Sequence, residues 1–173
     1  MSESSMQPMD DEERLAAATN QLDLVMGFFP RADTKLSVVL GINLGMLAVL
    51  APRLPGMEDM TTLVCGIGVC FVLILIASFY HLWNGAFPHL NGGTSSLVYF
   101  RSIAGMTESS YRQAYTGLSA GALADDLLNQ VWRNSKILDS KFTSLCYAYR
   151  ITLVAVPFWL ALLYLLPAIP PAR

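Results

Sequence analysis

The side chains of this chain with the most scope for chemistry are basic and stand among aromatics. Trp132, Arg133, Lys136 and Lys141 fall close together, and Arg101 and Arg112 precede them among Tyr99, Tyr111 and Tyr115. Guanidinium and ammonium groups bind phosphate through charge-assisted hydrogen bonds, and aromatic faces stack on nucleobases. On a helix Arg133 and Lys136 share a face, and Lys141 lies two turns beyond Arg133, close to that face. Spacing leaves two readings open: a phosphate site, and the simpler solvated face opposite a hydrophobic stripe. A formal net charge of -2 shows no strong basic excess, so nucleic acid is not an expected partner.

Other candidate groups carry less. His81 and His89 have no Cys or Glu nearby and do not stand at metal-ligand spacing, and polar residues at headgroup level are the simpler reading. Asp125 and Asp126 fall in the first turn of an expected long helix, where they read as capping charges complementing its dipole rather than as general acid and base. No P-loop, GxSxG, HExxH or GxGxxG pattern occurs. Cys65, Cys70 and Cys146 form no CxxC and no disulfide framework. The chain is therefore not expected to be an enzyme, and no catalytic residue, metal or cofactor is assigned.

The elements that position the basic cluster are set by lipid. Of 173 residues, 54% are hydrophobic and 14% charged, whereas soluble domains average about 25% charged. Residues 36–52, 60–83 and 151–166 carry no Asp, Glu, Lys or Arg and read as three membrane crossings, each of which needs about 20 apolar residues. The first and third, roughly 25 Å long at about 1.5 Å per residue, imply tilt or local thinning. Arg14, Arg31 and Lys35 precede the first crossing, and Arg101, Arg112, Arg133, Lys136, Lys141 and Arg150 lie between the second and third. Three plus six puts nine of the eleven basic residues on one side, and the positive-inside rule then gives N-in, C-out.

The expected fold is an all-α membrane protein with three transmembrane helices and a helical cytoplasmic insert between the second and third. Its parts are a cytoplasmic amphipathic segment 1–32, a transmembrane hairpin 33–83, a mostly helical cytoplasmic region 84–150, and a third transmembrane helix with its tail, 151–173. The acidic, polar start has no signal-peptide character, so the mature chain is expected to begin near Met1.

Local patterns refine this. Leu15, Ala18, Leu22, Val25, Met26 and Phe29 form an amphipathic stripe whose acidic polar face favours packing on protein over lying on lipid. Pro30 is expected to interrupt that helix and Asp33 to cap the next, with Arg31 and Lys35 at the headgroups. That cap-and-anchor reading is simpler than an ion or ligand site at the membrane edge. Gly41 and Gly45 have GxxxG spacing, which lets helix backbones approach, and Asn43 between them must find a polar partner in hydrocarbon. An interhelical hydrogen bond is the simpler reading for Asn43, a pore lining the alternative, and either implies association. Span two offers Cys65, Gly66 and Gly68 as a second small-residue surface. After Trp83, Pro88, Asn91, Gly92 and Gly93 mark a connector. Residues 97–100 fit a short strand or a helical turn. Thr107 and Ser119 are N-cap candidates, and the period from Leu123 to Tyr149 predicts one helix from near Ala120 into the third span, with Pro157 a candidate kink.

The stretch Ala32, Asp33, Thr34, Lys35 before span one, the middle YFRSIAGMTESSYR, and LLNQVWRNSKILDSKFTSLCYAYR running into the last span together resemble the transmembrane effectors of Pycsar, bacterial antiphage systems built around a pyrimidine cyclase. The resemblance covers about residues 22–165, and the family's pattern is matched at Asp33, Lys35, Ser135, Lys136 and Lys141. It implies a two-component defence: a partner cyclase makes a cyclic pyrimidine nucleotide, cUMP or cCMP, on infection. The effector it activates impairs the inner membrane, an abortive infection that kills the cell before phage mature. The chain carries no glycine-rich phosphate cassette of a cyclic-nucleotide-binding barrel, so the ligand site would be built from helices, with Arg133, Lys136, Lys141, Arg101, Arg112 and Trp132 as its residues. Asp33 and Lys35 are the membrane-edge charges, able to pair with Lys136, Lys141 or Asp139, and the chains are expected to form a homo-oligomer through spans one and two. The alternative is a constitutive membrane assembly subunit or small transporter.

Overall fold

The computed structural model describes residues 9–56, 60–87 and 96–166. Among them the chain is helical and contains no strand: α1 (Asp11–Met26), α2 (Phe29–Leu50), a 3-10 turn (Ala51–Arg53), α3 (Thr62–Ala86), α4 (Phe100–Ala104), α5 (Glu108–Thr116) and α6 (Ala120–Leu165). Residues 97–99 are bends, neither strand nor helix, and α4 starts only at Phe100. The expected caps are in place: Thr107 accepts from the Ser110 N–H at 3.3 Å and Ser119 from the Ala122 N–H at 3.2 Å, each satisfying a donor that the helix leaves free. The long helix runs without a break from Ala120 through Pro157 to Leu165. His89 and the turn residues Asn91 to Gly93 lie outside the described residues.

Two capping assignments are corrected. The helix that carries Asp33 begins at Phe29, so Asp33 lies beyond its first turn and caps nothing. Nor does Pro30 interrupt the preceding helix. That helix ends at Gly27, whose N–H reaches the Asp23 and Val25 carbonyls, and Pro30 falls in the first turn of α2, where its missing N–H has no role. Asp125 and Asp126 also lie beyond the first turn of their helix. Ser119 supplies the cap, and the two carboxylates turn outward to other elements.

The described residues of Met1–Phe29 and His89–Leu138 form one compact unit, and those of Pro30–Pro88 and Asp139–Arg173 a second. In the first, Ala18 of α1 meets Ala124 and Leu127 of α6, with Leu15, Leu22, Leu123 and Val98 around them. The amphipathic stripe of α1 thus packs on protein, as its acidic polar face implies. Arg14 bonds Asp125 at 2.9 Å, and Asp126 accepts the Leu97 N–H at 2.8 Å. Gln130 donates to the Ser96 hydroxyl, which in turn accepts from the Val98 and Tyr99 N–H groups. These bonds fix residues 96–99 on α6 and so set where α4 starts.

The second unit is a three-helix arrangement. Its buried positions on α2 are Ala32, Leu36, Val39, Asn43, Met46 and Leu50, spaced by alternating fours and threes, and those on α6 include Lys141, Ser144, Leu145, Ala148, Thr152, Ala155 and Leu162. Such near-heptad seams pack side by side at a shallow crossing angle. Phe71, Leu75 and Leu82 of α3 complete the core. The outward faces are just as apolar: Val38, Ile42, Leu44, Val69, Leu73, Ile76, Leu153 and Leu160 are all exposed. Of the apolar windows in these helices no more than 28% is buried. A helix that is hydrophobic all round yet unburied by protein has lipid for its solvent. Three helices are long and apolar enough to cross a bilayer.

Candidate functional site

The basic cluster divides between the two units. Trp132, Arg133 and Lys136 lie on α6 in the first. Trp132 is exposed, Arg133 half-buried, and the Lys136 ammonium stands 6.0 Å from the centre of the Trp132 ring. A cation at that distance from an indole face is held by the ring's quadrupole. Ser135 donates back to the Val131 carbonyl, as a hydroxyl on a helix commonly does. Arg101 is exposed on α4. Arg112 is exposed on α5 and forms a loose i,i+4 ion pair with Glu108 at 3.8 Å. Among the described residues no carboxylate pairs with Arg101, Arg133 or Lys136. The side chains of α6 thus offer two cations and an indole within five positions, groups of the kind that take a phosphate and an aromatic ring.

Lys141 belongs to the second unit and is engaged there. Its side chain is 7% exposed and its ammonium meets the Asp33 carboxylate at 2.5 Å; Asp33 is 54% exposed. Lys141, which pairs with Asp33, is one of the three partners expected for the membrane-edge charges. Lys35 instead stands 6.0 Å over the Phe142 ring. A cavity of about 270 Å³ opens beside the pair, between α2, α3 and α6.

Deeper in the same unit, Asn43, Ser78 and Thr152 close a ring of hydrogen bonds, one residue from each of α2, α3 and α6. Asn43 donates to the Ser78 hydroxyl at 2.8 Å, Thr152 donates to the Asn43 carbonyl oxygen at 2.9 Å, and the two hydroxyls are 3.0 Å apart. Asn43 and Ser78 are wholly buried and Thr152 is 5% exposed. Of the two readings of Asn43, the interhelical hydrogen bond is the one the geometry supports. Ser78 and Thr152 went unrecognised in the sequence, although each is a small polar residue at a seam position of an apolar helix.

The small residues at close quarters are also different ones. A methyl group at Gly41 or Gly45 would meet nothing within 4 Å, whereas one at Gly85 would lie 3.1 Å from a Leu36 methyl and 3.3 Å from Ser144 Cβ. At Gly85 α3 packs closely on α2 and α6, and it reaches that position by continuing past Trp83, where the sequence suggested a connector. The faces bearing Gly41, Gly45, Gly66 and Gly68 are open. Tyr80, Trp83 and Phe87 on α3 and Tyr147 and Tyr149 on α6 are exposed aromatics, and His81 stacks on Tyr147 at 5.1 Å.

An all-helical membrane protein with a hydrogen-bonded three-helix unit and a basic, aromatic face on its longest helix is the class that these features define. The family PycTM, described as Pycsar effector protein domain, matches residues 17–167, and the chain belongs to that family. Membership makes it an effector of antiphage defence, in a family of transmembrane effectors not known as enzymes. Comparison with curated proteins and with solved structures gives no match.

Proposed function

We propose that this effector is switched on by a cyclic pyrimidine nucleotide, cUMP or cCMP, made by the cyclase of its system, and that it then impairs the bacterial inner membrane. What supports the ligand reading is the arrangement on α6, where Lys136 over the Trp132 ring, with Arg133 one position on, offers a phosphate cradle beside a stacking face. Arg101 and Arg112 on α4 and α5 are the further cations of that unit. The sequence grouped Lys141 with them; it belongs to the second unit, beside Asp33, and the nucleotide phosphate is assigned to Arg133 and Lys136 of the first.

The orientation is N-in, C-out, which leaves the basic face in the cytoplasm where a cyclase product is made. Chains associate through α2 and α3, whose open Gly41, Gly45, Gly66 and Gly68 suit close helix approach between copies. A nucleotide can shift such an assembly only through different affinities for its resting and active forms.

The test is binding of cUMP and cCMP to detergent-solubilised protein, by calorimetry, with Arg133→Ala and Lys136→Ala alongside. One nucleotide is expected to bind, with affinity lowered roughly tenfold or more by each variant, as for loss of a charged hydrogen bond. If neither nucleotide binds, or both variants bind like wild type, the site is wrong. If membrane permeability is unchanged when the cyclase is co-expressed and triggered, the effector mechanism is wrong.

A further inference from the structure

We propose that the cavity beside Asp33 and Lys141 holds the headgroup of a phospholipid with a primary ammonium and a phosphate, of the phosphatidylethanolamine class. The walls of this cavity change character along α2. Asp33, Leu36, Ser37 and Leu40 lie within about two turns on one side of the helix, with the polar Asp33 and Ser37 nearer its start and Leu40 at the far end. That is the order of a phospholipid read from headgroup to acyl chain. From Leu36 onward α2 has no further charge before Arg53. Across the cavity, Ala86 lies in the last turn of α3, and Trp83 and Phe87 beside it are exposed at 64% and 61%. On α6, Tyr147 and Tyr149 follow Lys141 and are exposed as well. Exposed aromatic rings of this kind settle at the headgroup layer, so the cavity opens at the depth where headgroups lie.

Charge selects among headgroups. The cavity presents one carboxylate, more than half exposed, and one ammonium that is almost wholly enclosed. Such a pair is matched by a headgroup dipole laid antiparallel to it, with ammonium against Asp33 and phosphate against Lys141, and the Asp33–Lys141 bond stays in place. A choline headgroup has no N–H to donate to Asp33. A glycerol headgroup adds the phosphate charge to an ion pair that is already neutral and brings no cation to balance it. An enclosed cation and an open cavity of about 270 Å³ come together on the same residues here. The inference depends on the helices lying in a bilayer and not on the nucleotide reading.

Native mass spectrometry of the full chain in detergent, titrated in parallel with phosphatidylethanolamine, phosphatidylcholine and phosphatidylglycerol of identical acyl chains and without nucleotide or cyclase, tests it. One ethanolamine lipid per chain should be retained with roughly tenfold preference over the other two. Asp33→Asn should abolish the preference. Ala86→Leu, which fills the cavity and leaves the ion pair untouched, should lower ethanolamine-lipid occupancy to the level of the other lipids, and decides the matter if Asp33→Asn does not fold. Equal retention of the three lipids by the wild-type chain, or an unchanged preference in the folded variants, overturns the proposal. Neither result bears on cyclic nucleotide binding, which is measured separately.

Discussion

Removing the Asn43 amide tests the hydrogen-bonded ring directly. Asn43→Ala deletes two bonds, the donation to Ser78 at 2.8 Å and the acceptance from Thr152 at 2.9 Å. Interhelical hydrogen bonds in membrane proteins contribute about 0.6 kcal/mol on average and about 1.7 at most, because the unfolded chain in the membrane also finds partners, so the two are together worth about 1–3 kcal/mol. The void left by the amide in a wholly buried site adds about 1 kcal/mol, for a total of about 2–4. Ser78 and Thr152 keep their 3.0 Å bond to each other, and Ser78 also reaches the Ala148 carbonyl at 3.4 Å, so no polar atom is stranded and the loss stays within that range. The assay is reversible unfolding in mixed micelles by titration with a denaturing detergent, followed by far-ultraviolet circular dichroism. A double-mutant cycle with Thr152→Val isolates the pair, with an expected coupling of about 0.6–1.7 kcal/mol. Coupling within about 0.3 kcal/mol of zero, or a stabilising Asn43→Ala, would refute the claim that the ring holds the three helices together.

Other perturbations follow from the same geometry. Asp33→Asn leaves the enclosed Lys141 ammonium without its carboxylate and should destabilise the fold by about 1–3 kcal/mol, less than for a wholly buried pair because solvent screens the half-exposed Asp33; Asp33→Glu should restore most of the loss in the same unfolding assay. Gly85→Val should cost about 1–3 kcal/mol by forcing Leu36 and Ser144 apart, whereas Gly41→Ala should leave the unfolding midpoint of the monomer unchanged or slightly raised and weaken only chain association, read by crosslinking. Ser119→Ala removes the cap of α6 and should lower stability by about 1 kcal/mol, seen as faster amide exchange at Leu123 and its neighbours. The exposed Arg14–Asp125 pair should contribute less than about 1 kcal/mol and weaken with salt.

How much of this was written in the sequence depends on the range of the interaction. Apolar length and helical period are local properties, and they marked the three long helices, the amphipathic α1 and the unbroken α6. The caps at Thr107 and Ser119 were legible for the same reason, since a hydroxyl serves N–H groups within three residues of itself. Asp33 shows the limit of such local reading. A carboxylate after Pro30 looks like a cap, yet a proline in the first turn lets the helix start earlier, and the carboxylate is then free for a lysine 108 positions away in the chain. Asp125 and Asp126 failed in the same way, one bonding Arg14 and the other the Leu97 N–H.

Asn43 could be singled out from sequence alone because an amide in hydrocarbon needs a partner, but nothing in one helix says which partner. Only the meeting of three seams, each with its own rotation, brought Ser78 and Thr152 to it. Gly41 and Gly45 matched a motif and lie open, while Gly85, in no motif, packs closely against Leu36 and Ser144. Spacing along a helix fixes which residues share a face; packing decides which face turns inward. The sequence therefore determined what this protein is dissolved in and where its helices run. The tertiary structure alone decided which of its few polar side chains meet, because hydrogen bonds and ion pairs act over a few ångströms in space and carry no signature in the separation of residues along the chain.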